Sequence, residues 1–319
     1  MQFIRFRLNT HQGGFTLIEL LIALTLGLII SAIAIQLIFT AQKGVSTQQA
    51  LSNLQSDALF GLEAVVRDLR LANLNASDVV INDSVLHGGI VLSEMNYSSK
   101  KDDDDKVQIE LVDAVSRGAV TDTSNLTGLD SDELVIQYQN IMESQYDCEG
   151  RKIPINTYVV QKYFVRKNNI KDEPNTPFSL ACKSAFYSGD EPEKIDLSGN
   201  GEIIIPRIDH FRVLLGVASD KCIETDIEDG VMSCFYYVPI EDYKKMTGVK
   251  PQIVSLKIGM LVRSLNTVGS NDFFDKTKPY KILNDSAELI EDSKNHLYMR
   301  SVVTQTVALR NGFGIKKQS

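Results

Sequence analysis

The sequence predicts an α+β chain in which one long N-terminal helix packs on a mostly antiparallel, β-rich head. Three observations predict it. An uncharged apolar run covers residues 20–35, a one-sided helical spacing of apolar residues follows, and from Asn75 onward β-branched and aromatic stretches alternate with Gly, Asn, Asp and Pro clusters.

The first element is read from "HQGGFTLIELLIALTLGLIIS". With Phe15–Glu19 and Gln36–Ala41 added, residues 15–41 are long enough to cross a bilayer. Arg5, Arg7 and His11 precede the run without an acidic residue, which holds the N-terminus in the cytoplasm and sends the rest outward. Ala32-Ile33-Ala34 has the letters of an ordinary signal-peptidase site, but cutting there would leave the apolar "IQLIFTA" as a new terminus. The small pair Gly13-Gly14 stands instead before the run. Glu19 is the anomaly, since an acidic group at the centre of a membrane helix costs about 2.5 to 3.5 kcal/mol, and something must offset that.

The second element, residues 42–74, is amphipathic. Leu51, Leu54, Ala58, Leu62, Val65 and Leu69 recur at three- and four-residue steps. With no proline between Phe15 and Asn75, one helix of about 60 residues, about 90 Å long, can cover both elements. Glu63 and Arg67 stand four residues apart, as an exposed ion pair would, and Gly27, Gly44 and Gly61 are weak points for a helix.

Residues 75–319 form the head. Its expected strands are "GIVLS", "VQIELV", "ELVIQYQ", "TYVVQKYFVR", "FSLACKSAFY", "HFRVLLGV", "CFYYVPI", "QIVSLKIGMLVRS" and "SVVTQTVAL". Partial period-two alternation in the last two suggests one face packed on the long helix. Asn200-Gly201, between "KIDLS" and "EIIIP", reads as a tight hairpin turn. Cys148, Cys182, Cys222 and Cys234 all lie on the outward side, where an even count suggests disulfides with three pairings open.

Composition narrows the function. The net charge is −8, or about −10 once a leader with two arginines is removed, so direct binding to nucleic-acid phosphates is disfavoured. The histidines, His11, His87, His210 and His296, form no H-E-x-x-H, and G-x-S-x-G and G-x-x-x-x-G-K are absent, so nothing marks an enzyme. Asp102–Asp105 reads as a solvated loop tip flanked by Lys100, Lys101 and Lys106. "DLSGNGEIIIPR" imitates a calcium loop at Asp196, Ser198, Asn200 and Glu202 but places Arg207 where the bidentate glutamate belongs. No metal and no cofactor is expected.

Glycine followed by "FTLIEL" resembles the class III signal of type IV pilins. The resemblance implies a leader of residues 1–14, cleavage between Gly14 and Phe15 by prepilin peptidase, methylation of the Phe15 amine, and an assembly ion pair between Glu19 and that amine in a neighbouring subunit. "LEAVVRDLRLAN", "YDCEG", "FSLACKS", "FRVLLG", "IVSLKIGMLVRS" and "RSVVTQTVALRN" are similar to landmarks of minor pilins of the PilW family. That likeness implies a type IV pilin-like fold and a Cys148–Cys182 disulfide, leaving Cys222 with Cys234. It also implies a minor pilin that helps initiate and assemble a type IV pilus from the tip priming complex, serving twitching motility, adhesion or DNA uptake. Its expected partners are other minor pilins, the major pilin, the inner-membrane assembly platform and a tip adhesin. It would sit in the inner membrane of a Gram-negative bacterium with its head in the periplasm, and at the pilus tip after assembly. The alternatives are a J-type minor pseudopilin of type II secretion and a tip-located ligand-binding module.

The mature chain is therefore expected to begin at methylated Phe15, and Gly14→Val to accumulate as an unprocessed membrane protein. N-terminal mass spectrometry of assembled protein checks this; a start at Ile35, or an intact Met1, refutes it.

Overall fold

The computed structural model describes residues 14–102, 106–168, 177–189, 191–226, 231–267, 278–295 and 297–312, without the side chains of 220–226 and 231–233. Two compact units divide at Gln49 and Ala50. A single helix, α1 (Leu17–Leu69), runs for 53 residues. Residues 14–46 are exposed throughout, and the helix is long and apolar enough to cross a membrane. Thr25, Thr40 and Thr47 turn their hydroxyls back to the carbonyls of Ile22, Gln36 and Lys43, each at 2.9 Å. That satisfies the hydroxyl donors within the helix, as an apolar surrounding requires.

The unit from Ala50 onward is built, among the described residues, mainly on two antiparallel sheets that share one large hydrophobic cluster. The first has five strands in the order β2-β3-β4-β5-β7: β2 (Arg117–Val120), β3 (Ser131–Gln139), β4 (Tyr158–Lys167), β5 (Phe178–Tyr187) and β7 (Glu202–Pro206). The second has the order β13-β10-β8-β9: β8 (Ile208–Asp226), β9 (Val231–Pro239), β10 (Gln252–Thr267) and β13 (Tyr298–Ala308). Two short pairs complete the strands, β1 (Glu110–Val112) parallel to β6 (Lys194–Asp196), and β11 (Tyr280–Ile282) with β12 (Asp285–Ala287). Two short helices, α2 (Ile240–Lys245) and α3 (Glu291–Asn295), lie between strands.

The inward stripe of α1, Leu54, Ala58, Leu62, Val65 and Leu69, joins a single cluster with both sheets, including Leu134, Tyr163, Leu180, Phe211, Leu256 and Val307. Each fully buried aliphatic side chain contributes about 1.5 to 3 kcal/mol. Leu51 departs from the expected stripe and is exposed, because Ala50 takes the inward position one residue earlier. Arg67 turns to the adjacent Asp68 at 3.4 Å rather than to Glu63.

The sheets are joined by side chains of β3 that accept backbone donors of β8. Ser131 Oγ accepts from Phe211 N at 3.0 Å, and Asp132 accepts from Val213 N at 2.7 Å and from Arg212 Nη1 at 3.0 Å. Burial pushes the Asp132 carboxyl up to about 6 even though Arg212 pulls against it. The chain passes from the first sheet to the second through Arg207 alone, at φ 58°. Its carbonyl accepts from Arg263 N at 3.0 Å.

Three expectations from the sequence are corrected. Asn200-Gly201 does not close a hairpin, because β6 pairs with β1 and β7 with β5. Gly201 instead has φ +57° and lies so close to the Cys182 carbonyl that a Cβ would sit 2.2 Å from its oxygen. "GIVLS" is no strand: the Asn96 side chain accepts from Leu92 N and Ser93 N at 2.8 and 3.1 Å and replaces a ladder there, leaving one bridge from Ile90 to Ile136. "VQIELV" forms a strand only over its last three residues. Of the acidic run, Asp102 closes a turn with Lys106, and Asp103–Asp105 lie outside the described residues.

Gly61, read from the sequence as a weak point, is where α1 approaches β7. A Cβ there would meet Ile205 Cγ1 at 2.3 Å and the Ile204 carbonyl oxygen at 3.1 Å. Helix propensity alone would have Gly61→Ala gain about 1 kcal/mol, whereas overpacking costs about 1 to 3 kcal/mol. Chemical denaturation of the full chain in detergent is expected to show a net loss for Gly61→Ala.

Candidate assembly site

The candidate site begins where α1 begins. Thr16 is its N-cap: its carbonyl accepts from Leu20 N at 3.2 Å, and its Oγ1 accepts from Glu19 N at 3.3 Å. Glu19 is therefore the third helical residue, where an acidic side chain is favoured by the unpaired N–H groups and the helix dipole. Phe15, directly ahead of the cap, is 83% exposed, and Glu19 is exposed on the same first turn. Both side chains are thus open to neighbouring molecules. The spacing Thr-x-x-Glu is a capping signature that the reading of Glu19 as an ion-pair partner passed over.

The other end of α1 is tied to the C-terminal landmark "ALRN". Asn311 Nδ2 donates to the carbonyls of Arg70 and Ala72, both at 3.0 Å, and thereby satisfies acceptors left open at the helix end. Asn73, at φ 65°, ends the run. Its Nδ2 donates to the Asn311 carbonyl at 3.1 Å, and its Oδ1 accepts from Gly89 N at 2.8 Å.

Cys148 and Cys182 form a disulfide with Cα atoms 6.0 Å apart, tying the loop between β3 and β4 to β5. A polar cluster surrounds it. Asp147 accepts from Arg151 Nε at 2.9 Å and from the Ser184 hydroxyl, while Glu149 pairs with Lys183 at 3.0 Å. Cys234 is also disulfide-bonded, and the side chain of Cys222, its expected partner, lies outside the described residues.

Chemistry at His210 is also legible. Its Nδ1 lies 3.0 Å from Ser124 Oγ and its Nε2 lies 3.5 Å from Asp285 Oδ2, the composition of a hydrolytic triad. The imidazole is wholly buried, and Ser124 Oγ is held by Leu126 N at 3.1 Å, so the group packs and orients rather than meeting a substrate. Asp68, on α1, is another buried carboxyl. Burial raises its pKa, while the Tyr163 hydroxyl, donating at 2.8 Å, and Arg67 pull it back.

The comparisons bear on the same parts of the chain. A profile for the prokaryotic N-terminal methylation motif matches residues 9–35, around Gly14, Phe15 and Glu19. A second, for Type IV pilus-assembly protein W, matches residues 162–311, from within β4 through Asn311. The chain matches a type IV minor pilin of the PilW family. The chain has the expected α+β architecture, a long N-terminal helix with antiparallel sheets, and its N-terminal signal and apolar helix support membrane anchoring and association with a bacterial pilus. The family is structural rather than enzymatic and works with other pilins and their assembly machinery. A type IV-like pilin from Thermus thermophilus is similar in structure, with a TM-score of 0.40 and 11% identity over 81% of this chain and 97% of its own. No curated protein matches the chain.

The Cys148–Cys182 bond closes a separation of 34 residues, which corresponds to about 2 to 4 kcal/mol of stabilisation. Cys148→Ser with Cys182→Ser is expected to lower the unfolding free energy of the chain by that amount, measured by denaturant titration against the oxidised parent.

Proposed function

We propose that this minor pilin helps initiate and assemble a type IV pilus from a place in the tip priming complex. The observation that carries the reading is Glu19: a charged residue at the capped start of an apolar helical stretch that is exposed as far as residue 46, four residues from Phe15. Prepilin peptidase would remove residues 1–14, and the new amine of Phe15 would be methylated. In a bundle of laterally docked helices, that ammonium pairs with Glu19 of the neighbour in low dielectric, where attraction is strong and an unpaired charge is costly. Residues 15–41 then serve as the membrane and assembly helix, 42–74 as the packing helix, and 75–319 as a head facing the periplasm of a Gram-negative cell before assembly and the outside afterwards. The processing enzyme, the other minor pilins, the major pilin, the assembly platform and a tip adhesin are the partners this role needs.

Head size supports the tip position. A domain of residues 75–319 has a radius of gyration of about 18 Å, whereas packed helices lie about 8 to 10 Å apart. Heads of that width crowd one another if every subunit carries one, and a place at the filament end relieves the crowding on one side. The match of residues 162–311 favours the pilus over the secretion pseudopilus.

Two readouts on one strain set test the proposal. Antibody to the head is expected to mark filament ends, and Glu19→Ala to yield a processed, inserted protein missing from the filament. Decoration along the whole shaft would reject the tip position, and normal incorporation of Glu19→Ala would reject the ion pair.

A further inference from the structure

We propose that the outer edge of β13 receives an extended strand from a different subunit of the pilus, so that the second sheet is completed only in the assembly. The proposal rests on the reading above that the chain assembles with other pilins.

Among the described residues, β13 ends its sheet and pairs with β10 on one side only. Leu309 N donates to Val254 O at 3.0 Å, and the register Ser255↔Ala308 continues that pairing inward. In an antiparallel ladder the directly opposed, bonded residues alternate, so Val303, Gln305 and Val307 bond to β10. The N–H and C=O groups of Val302, Thr304 and Thr306 face away from it. Residues 301–308, "SVVTQTVA", contain neither a charge nor a proline, the devices that ordinarily blunt an edge. The other edges differ: β2 is four residues long and begins with Arg117, β7 ends at Pro206, and β9 ends at Pro239 and holds the disulfide-bonded Cys234.

A second observation fits the same occupant. Beside Gln305 lies a groove of about 710 Å³ lined along α1 by Leu59, Phe60, Glu63, Arg67 and Arg70. Leu59 and Phe60 are 61% and 75% exposed. A strand added to β13 would point alternate side chains over this surface, which suits apolar residues flanked by an acidic one to meet the two arginines. A second copy of this chain, docked edge to edge, would set this patch, two arginines against the single acid Glu63 and so net positive, against the same patch, because a two-fold interface is self-facing. A different subunit avoids that repulsion.

The test uses the full-length chain in detergent, alone and co-expressed with the other subunits that carry the "GFTLIE" signal, and reads amide hydrogen exchange. Alone, Val302, Thr304 and Thr306 are expected to exchange quickly and Val303, Gln305 and Val307 slowly; in the complex the first three slow by about tenfold or more. Thr304→Pro removes an outward N–H and no ladder bond, so it is expected to reduce the complex about tenfold while the inward amides stay protected. Thr306→Lys, which charges the edge, is expected to act in the same direction. A complex in which the outward amides stay fast overturns the edge proposal and leaves the pilin reading standing. A parent chain that captures no other subunit overturns both, and protection of the outward amides in the chain purified alone overturns the assignment to a different subunit.

Discussion

Everything in the head depends on the burial of one helix face. Leu54, Ala58, Leu62, Val65 and Leu69 enter a core built from both sheets, and among the described residues neither sheet has another helix of comparable length against it. The same continuous helix carries the exposed apolar residues that precede Gln49.

Around that face, polar side chains do the work of joining the two sheets. Ser131 and Asp132 accept backbone donors of β8 that an ordinary ladder would have used, and the buried Asp209 receives Arg300 Nε at 2.6 Å and Asn125 Nδ2 at 2.7 Å. The β8–β10 register shifts between Leu261 and Val262, leaving Asp209 unpaired in the ladder and its carboxylate aimed at these partners. Buried ions of this kind contribute little net stability, but removing one partner leaves a stranded charge, so breaking the Asp209–Arg300 pair, which links β8 to β13 within the second sheet, is costly. The Ser124, His210 and Asp285 group belongs to the same class: residue types of an active site put to use as packing.

The helix ends show how function and stability divide. At the start, Thr16 and Glu19 form half of a capping box, so the chain forms its first turn around the residue proposed to recognise a neighbour. At the end, Asn73 donates to the Asn311 carbonyl and the Asn311 amide donates to the carbonyls of Arg70 and Ala72, which ties the C-terminal landmark of the sequence to the helix on which the core depends.

By itself, the sequence determined the long helix, its division into an exposed apolar half and a one-sided half, and the strands that became β3, β4, β5, β8, β9, β10 and β13. These follow from local composition and periodicity, which a single chain displays in full. The Cys148–Cys182 bond was legible only through family resemblance, since four cysteines allow three pairings. Tertiary structure alone decided the rest. Gly61 and Gly201 are explained by backbone approaches to β7 and β5, "GIVLS" lost its ladder to the Asn96 amide, and β6 and β7 went to different partners. Each of these turns on a contact between residues far apart in sequence, and hydrophobic periodicity carries no information about which distant backbone will come within hydrogen-bonding or van der Waals reach.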